Sequence, residues 1–158
     1  MIIDRNNLKY RQSTLAVIVN NDNKILLTQK KNYQENEWDF PGGGIEKNET
    51  DYQTILRELK EELGTDKFLI IKKSSRLDKY EWTDEDIEKK IIEKGKSFRG
   101  QQRSQFLVKF LGTTSDIVTQ QDELKKVIWV KVKDSFKYFI FPNQLIHSQE
   151  LLKEFGLL

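Results

Sequence analysis

The 158-residue sequence has no cysteine, two prolines, one methionine and a single histidine, His147. Without cysteine there is no disulfide, no thiolate metal site and no thiol nucleophile. With one histidine, neither a Ser-His-Asp triad nor a multi-histidine metal centre is expected. Any acid–base chemistry therefore falls to carboxylates or lysines. No apolar run approaches the length of a membrane span, and the opening "MIIDRNNLKYRQ" lacks the apolar core of a signal peptide. The expected location is the cytoplasm. Charge of one sign is also lacking: 27 Lys and Arg against 25 Asp and Glu leave a net +2. No global field marks the chain as a nucleic-acid binder.

What remains suits one domain, residues 1–158, with a single sizeable core. "STLAVIVNNDNKILLTQKK" reads as two β-rich runs, Thr14–Val19 and Lys24–Gln29, around a polar turn at Asn20–Asn23. "NYQENEWDFPGGGIEKN" reads as a loop. A helix is expected from a capping box at Thr50 to a stop at Gly64, burying Tyr52, Ile55, Leu56, Leu59 and Leu63. "KFLIIKK", "SQFLVKFLG" and "KVIWVKV" are further strand candidates. "TDEDIEKKIIEK" and the segment after Pro142 are helix candidates. Irregular alternation of strands and helices predicts an α/β chain with a mixed sheet covered by helices.

Glycine is scarce, yet three of the eight stand together at Gly42, Gly43 and Gly44, directly before that helix. They let backbone carbonyls and amides approach an ion or phosphate. At about 100° per residue, Glu58, Glu61 and Glu62 project together beside the apolar stripe. Each like-charge pair costs roughly 0.2–0.5 kcal/mol on an open helix. Arg57, four residues before Glu61, relieves one of them. A divalent ion would relieve the rest, and oxygen ligands without histidine or thiolate select magnesium or manganese. Glutamate pairs also decorate solvated helix faces. The adjoining glycines favour the functional reading.

Gly43, Glu49, Arg57, Glu58, Leu59, Glu61, Glu62 and Gly64 fall in the spacing of the Nudix box, so the segment Gly43–Thr65 resembles the signature of the Nudix hydrolases. A chance match at eight positions is on the order of one in 10⁸. Asn48 stands where glycine is frequent, and Thr65 where an aliphatic residue is usual. The resemblance implies an α/β/α sandwich around a mixed sheet. It also implies metal-dependent hydrolysis of a pyrophosphate bond in a nucleotide-type substrate. By that resemblance Glu58, Glu61 and Glu62 hold the metal, with the Gly43 carbonyl as a backbone ligand, while Glu49 and Arg57 brace the loop. Glu123 and Trp129 in "DELKKVIWV" resemble a Glu-x₅-Trp segment of part of the family, which makes Glu123 a further ligand or water-orienting base.

"FRGQQRSQFLVKF" and "YR" at Tyr10–Arg11 resemble the branch that includes RNA 5′-pyrophosphohydrolases and dinucleoside tetraphosphate hydrolases. They put Arg11, Gln101 and Arg103 forward as substrate contacts. Tyr80, Trp82 and Phe139 are candidates for stacking on a base, Phe139 among the substrate contacts. Lys89, Lys90, Lys94, Lys96, Arg99 and Arg103 form a basic cluster that would attract a polyphosphate or an RNA 5′ end. Nucleoside triphosphates remain an equal alternative as substrate. A Nudix-fold module that binds a nucleotide without cleaving it is the contrasting reading; such modules commonly lack box glutamates, and all are present here.

Overall fold

A computed structural model describes all 158 residues. Its strands are β1 (Tyr10–Val19), β2 (Lys24–Lys30), β3 (Phe68–Glu81), β4 (Gly100–Phe110) and β5 (Leu124–Lys131). The helices are α1 (Asp51–Leu63), α2 (Asp84–Lys94) and α3 (Gln144–Glu154). The five strands form one sheet in the order β3-β4-β1-β2-β5. β1 and β4 run parallel and the other neighbours antiparallel, so the sheet is mixed.

Central β1 is buried on both faces, as strands covered from two sides are. Its even residues, Ala16 and Ile18, pack with Leu26, Phe106 and Val108 against Ile55, Leu59 and Leu63 of α1. Its odd residues, Leu15, Val17 and Val19, pack with Ile25, Leu27, Trp38 and Phe40 against Leu151 and Leu152 of α3. One sheet between two helical layers is the α/β/α sandwich expected from the sequence. No helix is long and apolar enough to cross a membrane.

The expected hairpin turn forms at Asn20, whose Oδ1 accepts from the amides of Asp22 and Lys24, with Asn23 left-handed at φ 58°. β1 and β2 then diverge, pairing in register only at Val19 and Ile25. The glycine loop fills the wedge between them. Its Asp39 exchanges backbone bonds with Thr28 of β2 at 2.8 and 3.0 Å. On the other side Pro41 and Gly43 accept from Ala16 and Thr14 of β1, each at 2.9 Å, and Ile45 donates to Gln12 at 2.9 Å. The loop is thus part of the sheet, and that fixes where α1 stands.

α1 has the predicted boundaries: Thr50 and Gln53 form a reciprocal capping box, and Gly64 closes the helix in the left-handed region at φ 70°. Its buried stripe differs from the expected one. Tyr52 and Leu56 are 47% and 43% exposed, whereas Thr54 and Glu62 are buried. The helix buries two sectors: Ile55, Leu59 and Leu63 face the sheet, while Thr54, Glu58 and Glu62, four residues apart, face the loop.

Candidate active site

Three neighbours fix the loop. Asn48 adopts φ 66°, the left-handed geometry asparagine tolerates. Gly42 has φ 150°, and a Cβ there would stand 2.1 Å from the Thr14 carbonyl oxygen, so only glycine fits. At Gly43 a Cβ would stand 2.3 Å from the carboxyl carbon of Glu58; the missing side chain is the space that carboxylate occupies.

Arg57 ties loop to helix. Its Nε and Nη2 donate to the two oxygens of Glu49 at 2.7 and 2.9 Å, and Nη2 also reaches the Gly44 carbonyl at 3.1 Å. Glu49 further accepts from the Thr54 hydroxyl at 2.6 Å. These bonds, the Arg57 guanidinium foremost, hold the Glu49 carboxyl at about 2, well below the usual range. Nη1 of the same arginine contacts Glu58 and Glu61 at 3.1 Å each.

Glu62 has another partner. A bulge between Gln29 and Lys30 ends β2 and turns Lys30 toward α1. Its Nζ donates to the Gly42 carbonyl at 2.8 Å and lies 3.3 Å from both Glu62 oxygens. The Glu62 side chain is 1% exposed, and that burial lifts its carboxyl to about 7 against the opposing pull of Lys30. Burial likewise raises Glu58. Two carboxylates of raised pKa, facing one loop, are short of positive charge.

The structure brings Glu58, Glu61 and Glu62 to one edge of the loop, spread over Arg57 and Lys30 rather than converging on a single point. The donor set suits a hard divalent cation: carboxylate oxygens and a backbone carbonyl, without nitrogen or sulfur. That carbonyl is not the one expected. Gly43 turns its oxygen into the sheet, where the Thr14 amide and hydroxyl donate to it at 2.9 and 3.0 Å. The oxygen beside Glu62 belongs to Gly42, one residue earlier, because the loop pairs with β1 in that register.

Glu123 is exposed, in a turn before β5, and its carboxylate has no hydrogen-bond partner. Its turn is docked on the end of α1, where the Gln120 amide donates to the Glu62 carbonyl at 3.1 Å. Leu124, the next residue, is the register partner of Lys30. Glu123 therefore stands on the rim of the site, outside the cluster.

The remaining sequence candidates divide. Arg11 lines a cavity of about 460 Å³ that also touches Glu58. Gln101 is buried, its amide spent between Arg11 and Tyr80. Arg103 is apart from the surface lysines of the basic cluster, held between Asp39 at 2.7 Å and Asp78 at 2.6 Å. It is a neutralised charge and not a free phosphate ligand. Phe139 is corrected outright: it is 4% exposed and packs on Phe40 in the core at 5.4 Å between ring centroids, so no base can stack on it. Tyr80 and Trp82, with Tyr33 and Phe141, line the larger cavity, about 900 Å³, on the α3 side. That cavity touches no box glutamate and adjoins the site through Asp39, Phe40 and Tyr10, the last of which also lines the cavity beside Glu58. No sequence pattern singles out Lys30, Thr54 or Asp78. Lys30 stood in "TQKK" beside another lysine, with nothing in the sequence to say which one turns inward.

The NUDIX domain model matches residues 9–149. The RNA pyrophosphohydrolase of a Nitratiruptor species is 33% identical over 147 residues, 90% of this chain and 92% of that protein. The protein of the same name from Pelagibacter ubique is 33% identical over 154 residues, 92% and 96% of the two chains. Among solved structures, the E. coli dihydroneopterin triphosphate pyrophosphohydrolase superposes with a TM-score of 0.68 at 19% identity, covering 92% of this chain and 98% of that one. A C. elegans Ap4A hydrolase superposes at 0.64 with 17% identity, covering 91% and 98%. These two likenesses speak to the fold. The chain belongs to the Nudix family. Within it, the chain is a hydrolase that cleaves a pyrophosphate bond in a nucleotide-type substrate, and it works with a divalent cation.

Proposed function

We propose that the chain removes phosphate from the 5′ end of triphosphorylated RNA in the cytoplasm, with magnesium as its divalent cation. The observation that carries this reading is Arg11. Of the six arginines, Arg5, Arg57, Arg76, Arg99 and Arg103 each have a carboxylate partner, and Arg11 has none. An uncompensated guanidinium in the same cavity as Glu58 suits a polyphosphate gripped beside the bond to be cut. The aromatic wall of the larger cavity suits a stacked base. Relatives spanning almost the whole chain carry the name RNA pyrophosphohydrolase.

In this reading Glu58, Glu61 and Glu62 hold the cation, with the Gly42 carbonyl beside them. When bound, the cation supplies positive charge to the phosphate oxygens and makes the attacking water more acidic. Arg57 and Glu49 keep loop and helix in register, as their bidentate pair suits. Arg11 holds the phosphate chain. Glu123, a carboxylate with no partner, is free to take the proton of the attacking water. Water adds to one phosphorus, and the bridging oxygen leaves with the other phosphoryl group.

The test is release of phosphate or pyrophosphate from a 5′-triphosphorylated RNA oligonucleotide, from ATP and from diadenosine tetraphosphate, each with magnesium and with chelator. Expected is magnesium-dependent release fastest from the RNA. A faster turnover of ATP would overturn the substrate, and equal turnover in chelator would overturn the cation.

A further inference from the structure

Arg11, Gln101 and Tyr80 form one row across three strands: Arg11 is the register partner of Gln101, and Gln101 of Tyr80. Register partners project to the same face, so the three side chains meet. Arg11 Nη1 donates to Gln101 Oε1 at 2.7 Å, and Gln101 Nε2 donates to the Tyr80 hydroxyl at 2.7 Å. The row two residues along is built the same way, from Ser13, Arg103 and Asp78. There the arginine meets a carboxylate, at 2.6 Å, and its charge is cancelled. In the first row the arginine meets an amide, and its charge is not.

The two rows make a comparison inside one sheet. A buried side chain at position 101 must satisfy the Arg11 donor, and either a carboxylate or an amide oxygen does so. A carboxylate would pair with the guanidinium as Asp78 pairs with Arg103. An amide holds it in place without spending its charge. The amide has a further requirement: its oxygen, not its nitrogen, must face Arg11. Arg11 itself fixes this, because a guanidinium can only donate and so takes Oε1, and the Tyr80 hydroxyl then accepts from Nε2 and anchors the amide. Tyr80 in turn lines the larger cavity, and Arg11 lines the one that touches Glu58. The row therefore also joins the two cavities.

We infer that Gln101 is a positioning residue that holds Arg11 in place as a free charge for the phosphates, with its amide anchored by the Tyr80 hydroxyl. The inference rests on the reading of Arg11 as the phosphate grip. It goes beyond that reading by assigning Gln101 and Tyr80 a part in it without contact to substrate.

The test measures the affinity of methylenediphosphonate, a pyrophosphate analogue that resists hydrolysis, by calorimetry in magnesium. Gln101→Glu keeps the size and the acceptor but cancels the charge of Arg11. It should weaken binding about tenfold or more, as Arg11→Ala should, since each removes a charge-assisted contact. Tyr80→Phe removes the anchor on Nε2, loosens the amide and should weaken binding a few-fold. Gln101→Glu placed in Arg11→Ala should add little, because both act through one guanidinium. With RNA as substrate, Gln101→Glu should raise KM far more than it lowers kcat. Its melting temperature should hold or rise with the new ion pair, which loss of a merely structural residue would not do. If Arg11→Ala binds like wild type, the phosphate grip itself is wrong and this inference falls with it. If Arg11→Ala is weakened while Gln101→Glu is not, the role of Gln101 alone is overturned. A full additional loss in the double variant would also overturn it, by showing that the new charge repels the ligand directly.

Discussion

Arg57 and Lys30 neutralise the box glutamates from two sides, and they are held in different ways. Arg57 is forked onto Glu49 at 2.7 and 2.9 Å and bonded to the Gly44 carbonyl before it reaches Glu58 and Glu61 at 3.1 Å. Lys30 has only the Gly42 carbonyl at 2.8 Å and a long pair to Glu62 at 3.3 Å, from the end of a strand. A planar guanidinium with several fixed partners is a strut. An ammonium on a flexible stem, straddling a carbonyl and a carboxylate, is a placeholder. The same glutamates can therefore be braced by Arg57 and still be open to another cation where Lys30 stands.

Substitutions of the glutamates themselves should have the largest effect. Glu61→Gln and Glu62→Gln should each lower kcat by roughly 10²–10⁴ without unfolding the protein, as steady-state rates and circular dichroism would record. Near-normal turnover in either would remove that residue from the site. Glu123→Gln should lower kcat by about 10²-fold with little change in KM, while Asp122→Asn stays near wild type. Reversed outcomes would move the rim acid by one residue.

The strut and the placeholder separate on stability. Arg57→Ala strands Glu49 and loosens the loop, at a cost of roughly 1–3 kcal/mol, and should lower the melting temperature by several degrees. Lys30→Met should change it little and should tighten binding of a divalent cation at Glu62, measured by titration calorimetry. If Lys30→Met were the more destabilised of the two, their roles would be exchanged.

The smallest effect is on pH dependence in chelator. The folded Glu62 carboxyl lies at about 7, above the roughly 4.5 of an unfolded chain. Between those values the native protein keeps a proton that the unfolded chain has lost. Stability therefore falls as pH rises toward 7, and levels off above it. Glu62→Gln should flatten that part of the melting curve against pH. An unchanged slope would assign the titration to another group.

Local chemistry was legible in the sequence. The capping box at Thr50 and the stop at Gly64 each depend on residues close together in the chain, while the brace of Glu49 and Arg57 was legible through the resemblance of the box. The mixed sheet followed from the alternation of strand and helix patterns. What was not legible depends on register between distant strands. One residue of offset along β1 exchanges the Gly43 carbonyl for that of Gly42. A bulge, which no pattern announces, aims Lys30 inward. Arg103 is cancelled because it lands opposite Asp78, and Arg11 is not because it lands opposite Gln101. Glu62 reads as a surface acid on a helical wheel, yet it is buried because the wheel omits the loop laid over it.

Binding of manganese, followed by its electron paramagnetic resonance signal in the absence of substrate, tests most directly whether these glutamates form a cation site. At pH 8 the wild-type protein should deplete the free-ion signal, and Glu62→Gln should need at least tenfold more protein to do the same, while Lys30→Met needs less. Equal binding by wild type and Glu62→Gln would contradict the account, because the cation would then be held somewhere other than the edge where Glu62, Lys30 and the Gly42 carbonyl meet.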